Sequence, residues 1–232
     1  LNKMTLNEIA YNILNILRGG RSNSDEHMSL SQIKFNIKYY RTMMIRRDMA
    51  RNNFMSRHLE QDLGCLNLIE VNSSKCCNLD LDCTVFRTQR KIPKTVRANF
   101  KELITYVGGA DGLTRIPLIQ SDYIKYLPYD KYTKDQRKAF MIEDYLYLYN
   151  PHGMEIVNVR GVFEDPEEVA NFDCDGVGCY DDDAPFPIPG DMVQAITNAL
   201  MRGELMLMAN TAGDTTLDRM QDMPTAPAPN QE

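Results

Sequence analysis

Apolar residues recur at helical spacing at both ends of the chain and alternate like strands between them. Near the front, Leu6, Ile9, Ile13, Ile16 and Leu17 share one helical face. Thr5-Leu6-Asn7-Glu8 ahead of them is a capping box: the Thr5 hydroxyl accepts from the amide of residue 8, and Glu8 reaches back. Gly19-Gly20 predicts the end of that helix, because glycine enters the left-handed region at little cost. A polar connector runs from Arg21 to Met28. Ser29-Leu30-Ser31-Gln32 is a second capping box, and a longer helix follows with Ile33, Ile37, Tyr40 and Met44 on one stripe. It is predicted to extend to about Arg51, with Met55 to Leu63 as a further helical turn closed by Gly64.

The period then changes. Cys65 to Val71, Thr84 to Thr88 and Ile104 to Val107 read as strands, and Gly108-Gly109 and Asp111-Gly112 supply turn chemistry. Ser121 to Leu127 reads as one short helix. Phe140 to Tyr149 and Glu155 to Val162 flank Asn150-Pro151-His152-Gly153, which predicts a hairpin with a four-residue loop. Asp165-Pro166-Glu167-Glu168 opens another short helix, since proline and acids suit a first turn. It ends near Phe172. An acidic loop leads to Pro189-Gly190. A last helix spans about Asp191 to Asn210, with Met192, Ile196, Leu200, Leu205 and Met208 apolar. The rest is polar and proline-containing and reads as a flexible tail.

Helices, then strands, then helices imply an α+β fold. The N- and C-terminal helices would form one helical bundle with an inserted β-rich region between them. The corresponding segments are 1–63 and 164–210 for the bundle, 64–163 for the insertion and 211–232 for the tail.

Charge adds direction to this order. The 232 residues carry a formal net charge of −6, unevenly spread. Residues 1–60 hold ten Lys/Arg against five Asp/Glu, and residues 163–232 hold two against fifteen. A basic front and an acidic rear attract each other, within one chain or between copies. The overall acidity argues against nucleic acid as the main partner. No apolar run approaches the roughly 20 residues that cross a bilayer. The first residues, Leu1-Asn2-Lys3-Met4-Thr5, lack the apolar core of a signal peptide, so reduced thiols are expected at the six cysteines.

Catalytic chemistry finds little support. Tyr180-Asp181-Asp182-Asp183 matches a polymerase-type pattern of paired carboxylates, but without the following context such a motif needs. Asp173-Cys174-Asp175-Gly176 opens like a calcium loop and then misses the later ligands. Cys76, Cys77, Cys83, Cys174 and Cys179 lack zinc-knuckle spacing. His27, His58 and His152 are scattered through connectors and turns. There is no phosphate-binding loop, because Arg18-Gly19-Gly20-Arg21 lacks the following Lys-Ser/Thr. We therefore expect no enzyme, no catalytic or metal-binding residue and no cofactor.

Two features point to protein contacts instead. Arg41, Arg46, Arg47 and Arg51 make the second helix basic, and they are read as inter-subunit partners for Asp181, Asp182 and Asp183. Leu205-Met206-Leu207-Met208 is apolar on every side for one turn, so it must be covered all round. Methionine adapts well to such a docking surface.

Several stretches together carry a family resemblance. They include Thr5 to Asn12, Gln32 to Arg41, Leu59 to Cys65, Ile92 to Arg97, Val159 to Pro166 and Tyr180 to Pro187. The combination resembles the ring proteins of short-tailed, crAss-like bacteriophages, and among them the first ring protein, a head-to-tail adaptor below the portal. The resemblance runs from about Thr5 to Asn210. It implies a virion structural protein at the head-to-tail junction, assembled in the host cytoplasm. It also implies a self-assembled ring of twelve copies, bound to the portal protein and to other ring or tail proteins. Genomic DNA would pass through the channel without sequence-specific binding, and no membrane would be involved. Two alternatives stand beside this: a metal-dependent nucleic-acid enzyme using the acidic loop, and a transient assembly or scaffolding module.

Overall fold

The computed structural model describes residues 4–17, 29–52, 55–71, 85–133, 135–151, 153–173 and 181–202. The first capping box forms in full, and the second through its N-cap hydroxyl. The Thr5 hydroxyl accepts from the Glu8 amide at 3.1 Å, and Glu8 Oε2 accepts from the Thr5 amide at 2.9 Å, opening α1 (Leu6–Leu17). Ser29 Oγ accepts from the Gln32 amide at 3.3 Å and opens α2 (Leu30–Asn52).

The predicted helical turn after α2 is corrected by the structure. Arg57–Leu59 is a short 3-10 turn, and β1 (Gln61–Val71) begins soon after it. Gly64 is not a helix terminator. It lies within β1 at φ 70°, where the register against the neighbouring strand shifts, so it serves as the pivot of a bulge. The chain continues through β2 (Val85–Thr88), β3 (Arg97–Ala98), β4 (Lys101–Glu102) and β5 (Ile104–Gly108). A 3-10 helix (Ser121–Tyr129) then precedes β6 (Lys138–Ile142), β7 (Tyr145–Tyr149) and β8 (Ile156–Gly161). Two helices follow, α3 (Pro166–Asp173) and α4 (Gly190–Arg202).

The main sheet has the order β5-β8-β1-β2-β7-β6, and every ladder in it is antiparallel. Its two edges are joined by an irregular segment. The Ile116 amide donates to Val107 of β5 at 2.7 Å, and the Ile119 amide donates to Ala139 of β6 at 2.8 Å. Residues 115–119 thus bridge the edge strands and bring the sheet close to a barrel, leaving little free edge. Val107, Ile116, Ala139, Leu146, Leu148, Val157 and Val159 fill the interior.

The hairpin predicted around Asn150 does not form. β7 pairs with β6 and β2, whereas β8 pairs with β1 and β5. The tight turn falls inside the segment read as one strand, at Glu143 and Asp144, with φ of 50° and 66°. That is the geometry of a primed two-residue turn, made here without the glycine that usually announces it.

α1, α2 and α4 share one apolar cluster with Ile9, Ile13, Ile33, Ile37, Ile45, Ile196 and Leu200 at its centre. The cluster reaches the sheet side through Val96, Ala98, Leu103 and Val162. Helices and antiparallel sheet together give the expected α+β class.

The β3–β4 hairpin carries a local oddity. Its two turn residues, Asn99 and Phe100, have φ of 51° and 62°, and Phe100 is 99% exposed. A phenylalanine in the left-handed region is strained. We expect Phe100→Gly to raise stability by about 1 kcal/mol, read as a higher denaturation midpoint at unchanged slope. A lower midpoint would mean that the ring is held by contacts that offset its strain.

Candidate inter-subunit surface

α2 explains most of what the surface offers, because it is apolar on two faces. Ile33, Ile37, Met44 and Ile45 point into the helix cluster. Phe35, Tyr39 and Met43 recur every fourth residue on the other side and are 66%, 53% and 48% exposed. Four residues advance the helix by slightly more than one turn, so these three form one row. They line a groove of about 1180 Å³ between α2, Lys94, residues 164–167 and the acidic segment at 181–182.

The rim of the groove is ionic. Lys34 pairs with Asp182, and Arg46 with Glu164. Lys38 pairs with Glu167 and lies 3.3 Å from Asp165. Basic front and acidic rear therefore meet inside one chain, across α2. Each pair is partly exposed and adds little stability by itself. Together they fix the rear segments along the groove.

The acidic loop has a further anchor. Asp183 Oδ1 accepts from Asn7 Nδ2 at 2.8 Å, and the Asn7 amide donates to the Asp182 carbonyl at 3.4 Å. The Phe186 amide donates to the Met4 carbonyl at 3.0 Å. The three aspartates thus stand by the N-terminus of α1, whose dipole favours negative charge. Asp181 Oδ1 accepts from the Asp183 amide at 3.0 Å, an ordinary turn contact. Among the described residues no three His, Cys, Asp or Glu gather in a group that can hold a metal ion. No helix among them is long and apolar enough to cross a membrane.

The four arginines named from the sequence part company. Arg41 is buried and is the largest fully buried side chain of the described residues. Its Nε donates to the Pro187 carbonyl at 2.9 Å and its Nη1 to the Phe163 carbonyl at 3.0 Å. Its role as a docking residue is corrected: a partner cannot reach it, and it binds three segments of its own chain together. Burial pulls its pKa down to about 10, while Asp165 opposes that shift, so it remains a cation at neutral pH. Arg46 is committed to Glu164. Arg47 and Arg51 stay exposed at the end of α2, Arg47 with Asp48 at 3.7 Å. Leu205, Met206, Leu207 and Met208 lie outside the described residues, as do Gly19, Gly20, Asp175, Tyr180 and every cysteine except Cys65.

The matching of whole-chain sequence patterns now adds a family to this geometry. Residues 8–223 match the family of phage tail ring protein 2 of crAss-like phages. The chain belongs to that family. The match bears out the expected crAss-like ring protein, and the family's own description places it as the second ring protein where the resemblance had named the first. No curated protein matches the chain. A phage tail ring protein is a structural component of the virion. The row Phe35-Tyr39-Met43 was missed in the sequence. Its signal was present as a four-residue repeat of large apolar residues beside the stripe that was read.

Proposed function

We propose that this phage tail ring protein works as a head-to-tail connector. Copies stand side by side around the genome channel, in a ring of about the portal's own symmetry, twelve. One rim docks on the portal or on a ring attached to it, and the other rim receives the next tail component. The helix layer of α1, α2 and α4 acts as the bundle that neighbouring copies grip.

The observation that carries this reading is the exposed row Phe35, Tyr39 and Met43 along a long groove of a chain belonging to a ring family. Large apolar side chains set in one line on a rigid helix are what a neighbour covers. A ring closes when each copy offers two different patches, one to each neighbour. Arg47 and Arg51, exposed and without a partner from the acidic rear, are the arginines that would meet a neighbour's acids. Leu205 to Met208 would serve as a grip on the adjoining ring, and DNA would pass without base-specific contact.

The test is quantitative mass spectrometry of purified particles. We expect a copy number close to that of the portal. Absence of the protein from mature particles would overturn the reading and favour a transient assembly module.

A further inference from the structure

A second exposed row lies far along the chain from α2. The 3-10 helix has three residues per turn, so Tyr123, Tyr126 and Tyr129 stand one above another on a single face. They are 62%, 59% and 86% exposed, and Tyr132, at the next step, is 83% exposed. The other face is fixed. Ile124 and Leu127 are buried with Phe140, Tyr147 and Tyr149, and Phe140 stacks on Tyr147 at 5.3 Å. Tyr123 and Tyr126 meet edge to face at 6.4 Å. Lys125 lies 5.1 Å from the centre of the Tyr126 ring, and Lys131 5.6 Å from that of Tyr132. Asp130 holds the end of the row: its carboxylate accepts from the Thr133 hydroxyl and, at 3.4 Å, from the Tyr132 amide.

Four tyrosines presented on a rigid base are poor as a solvent face and good as interface anchors, because each offers much area for two rotatable bonds. From the ring reading given above, and resting on it, we infer that this tyrosine row of one copy seats in the α2 groove of the next copy.

Three observations select that occupant. The first is spacing. Three residues of a 3-10 helix advance about 6 Å, and four residues of an α-helix advance about 6 Å. Tyr123-Tyr126-Tyr129 and Phe35-Tyr39-Met43 are therefore rows of the same repeat, one protruding and one lining a groove. The second is chemistry. The groove offers an apolar wall with exposed Lys94, a cation that suits an aromatic face. Its five carboxylates outnumber its four cations and suit Lys125 and Lys131. The third is placement. The helix cluster meets the sheet side at Val96, Ala98, Leu103 and Val162, next to β5 and β8. The tyrosine row sits on β2, β6 and β7. In the strand order β1 separates β8 from β2 on one side, and residues 115–119 separate β5 from β6 on the other. The two patches thus belong to different parts of a nearly closed sheet, so one copy can meet two neighbours through unlike surfaces.

The experiment places a photo-reactive benzoylphenylalanine at Tyr126, and in a second variant at Tyr123, in whole phage particles. The particles are built from isotopically light and heavy copies, so that inter-copy adducts carry mixed labels. Expected are mixed-label adducts on the peptide spanning residues 34–46, and none when the probe sits at exposed Leu113. Adducts on another protein, on another part of this chain, or none from either position would overturn the inference. If such particles still hold the protein at the portal's copy number, the ring reading survives that failure. Loss of the unmodified protein from particles would defeat the ring reading itself.

Discussion

Arg41→Ala is expected to destabilise the fold by about 3–5 kcal/mol, from the cavity a large buried side chain leaves and the loss of two hydrogen bonds from its guanidinium. The guanidinium holds the carbonyls of Pro187 and Phe163 and lies 5.8 Å from the Phe186 ring. It thereby ties α2 to the end of the sheet and to the segment leading into α4. Alanine leaves one buried and one part-buried acceptor without their donor and a cavity where the largest buried side chain stood. Arg41→Met keeps most of the volume and removes a desolvated charge, so it is expected to cost less, about 1–3 kcal/mol from the two orphaned carbonyls. Urea unfolding of both variants gives the comparison. The sign of the pH effect follows from the depressed pKa. Burial penalises the charged form in the folded chain, so the unfolded chain binds the proton more tightly. That penalty is constant below about pH 10 and is relieved only as pH rises through about 10 toward the ordinary arginine range. The cost of Arg41→Ala should accordingly be flat between pH 6 and 9. A cost below about 1 kcal/mol would remove Arg41 from the centre of the fold.

The same residue shows where sequence reading succeeds and where it stops. Both N-caps, the helix stripe of Ile33 and Ile37, and the strands at Ile104 and Val85 follow from local spacing, and the structure contains them. Arg41 stands four residues after Ile37 on that same apolar stripe, so its burial was legible as periodicity; its charge overruled that evidence. The Asn150 hairpin failed for another reason. Loop residues report that the chain turns there, but not which strand it will meet, and β8 found β1 and β5. The turn at Glu143 and Asp144 had no glycine to mark it. The tyrosine row is written at a period of three, which is neither the strand period nor the α-helix period. The front-to-rear charge asymmetry did identify the segments that meet. It could not say that Lys34, Lys38 and Arg46 meet their acids within one chain.

That last point determines how assembly should be broken. Reversing the charge of Arg46 would disturb its own bond to Glu164, so loss of assembly would not separate folding from docking. Tyr39→Glu with Met43→Glu separates them. Both side chains face the groove and are half exposed, so each change is expected to alter stability by about 0.5 kcal/mol or less. Glutamate is a good helix former, and at position 43 it would stand four residues before Arg47, a favourable helical pair. Against a neighbour the effect is large. Two interface anchors lost at about 2 kcal/mol each weaken one contact roughly a thousandfold. A new pair of carboxylates in a groove already rich in them adds repulsion. Every copy in a closed ring makes that contact with each neighbour, so the penalty recurs around the ring and few copies should remain in the particle. The expected result is a near-normal melting temperature together with strong depletion from particles assembled on the variant. A variant that melts normally and enters particles at the portal's copy number would show that this groove faces solvent in the virion.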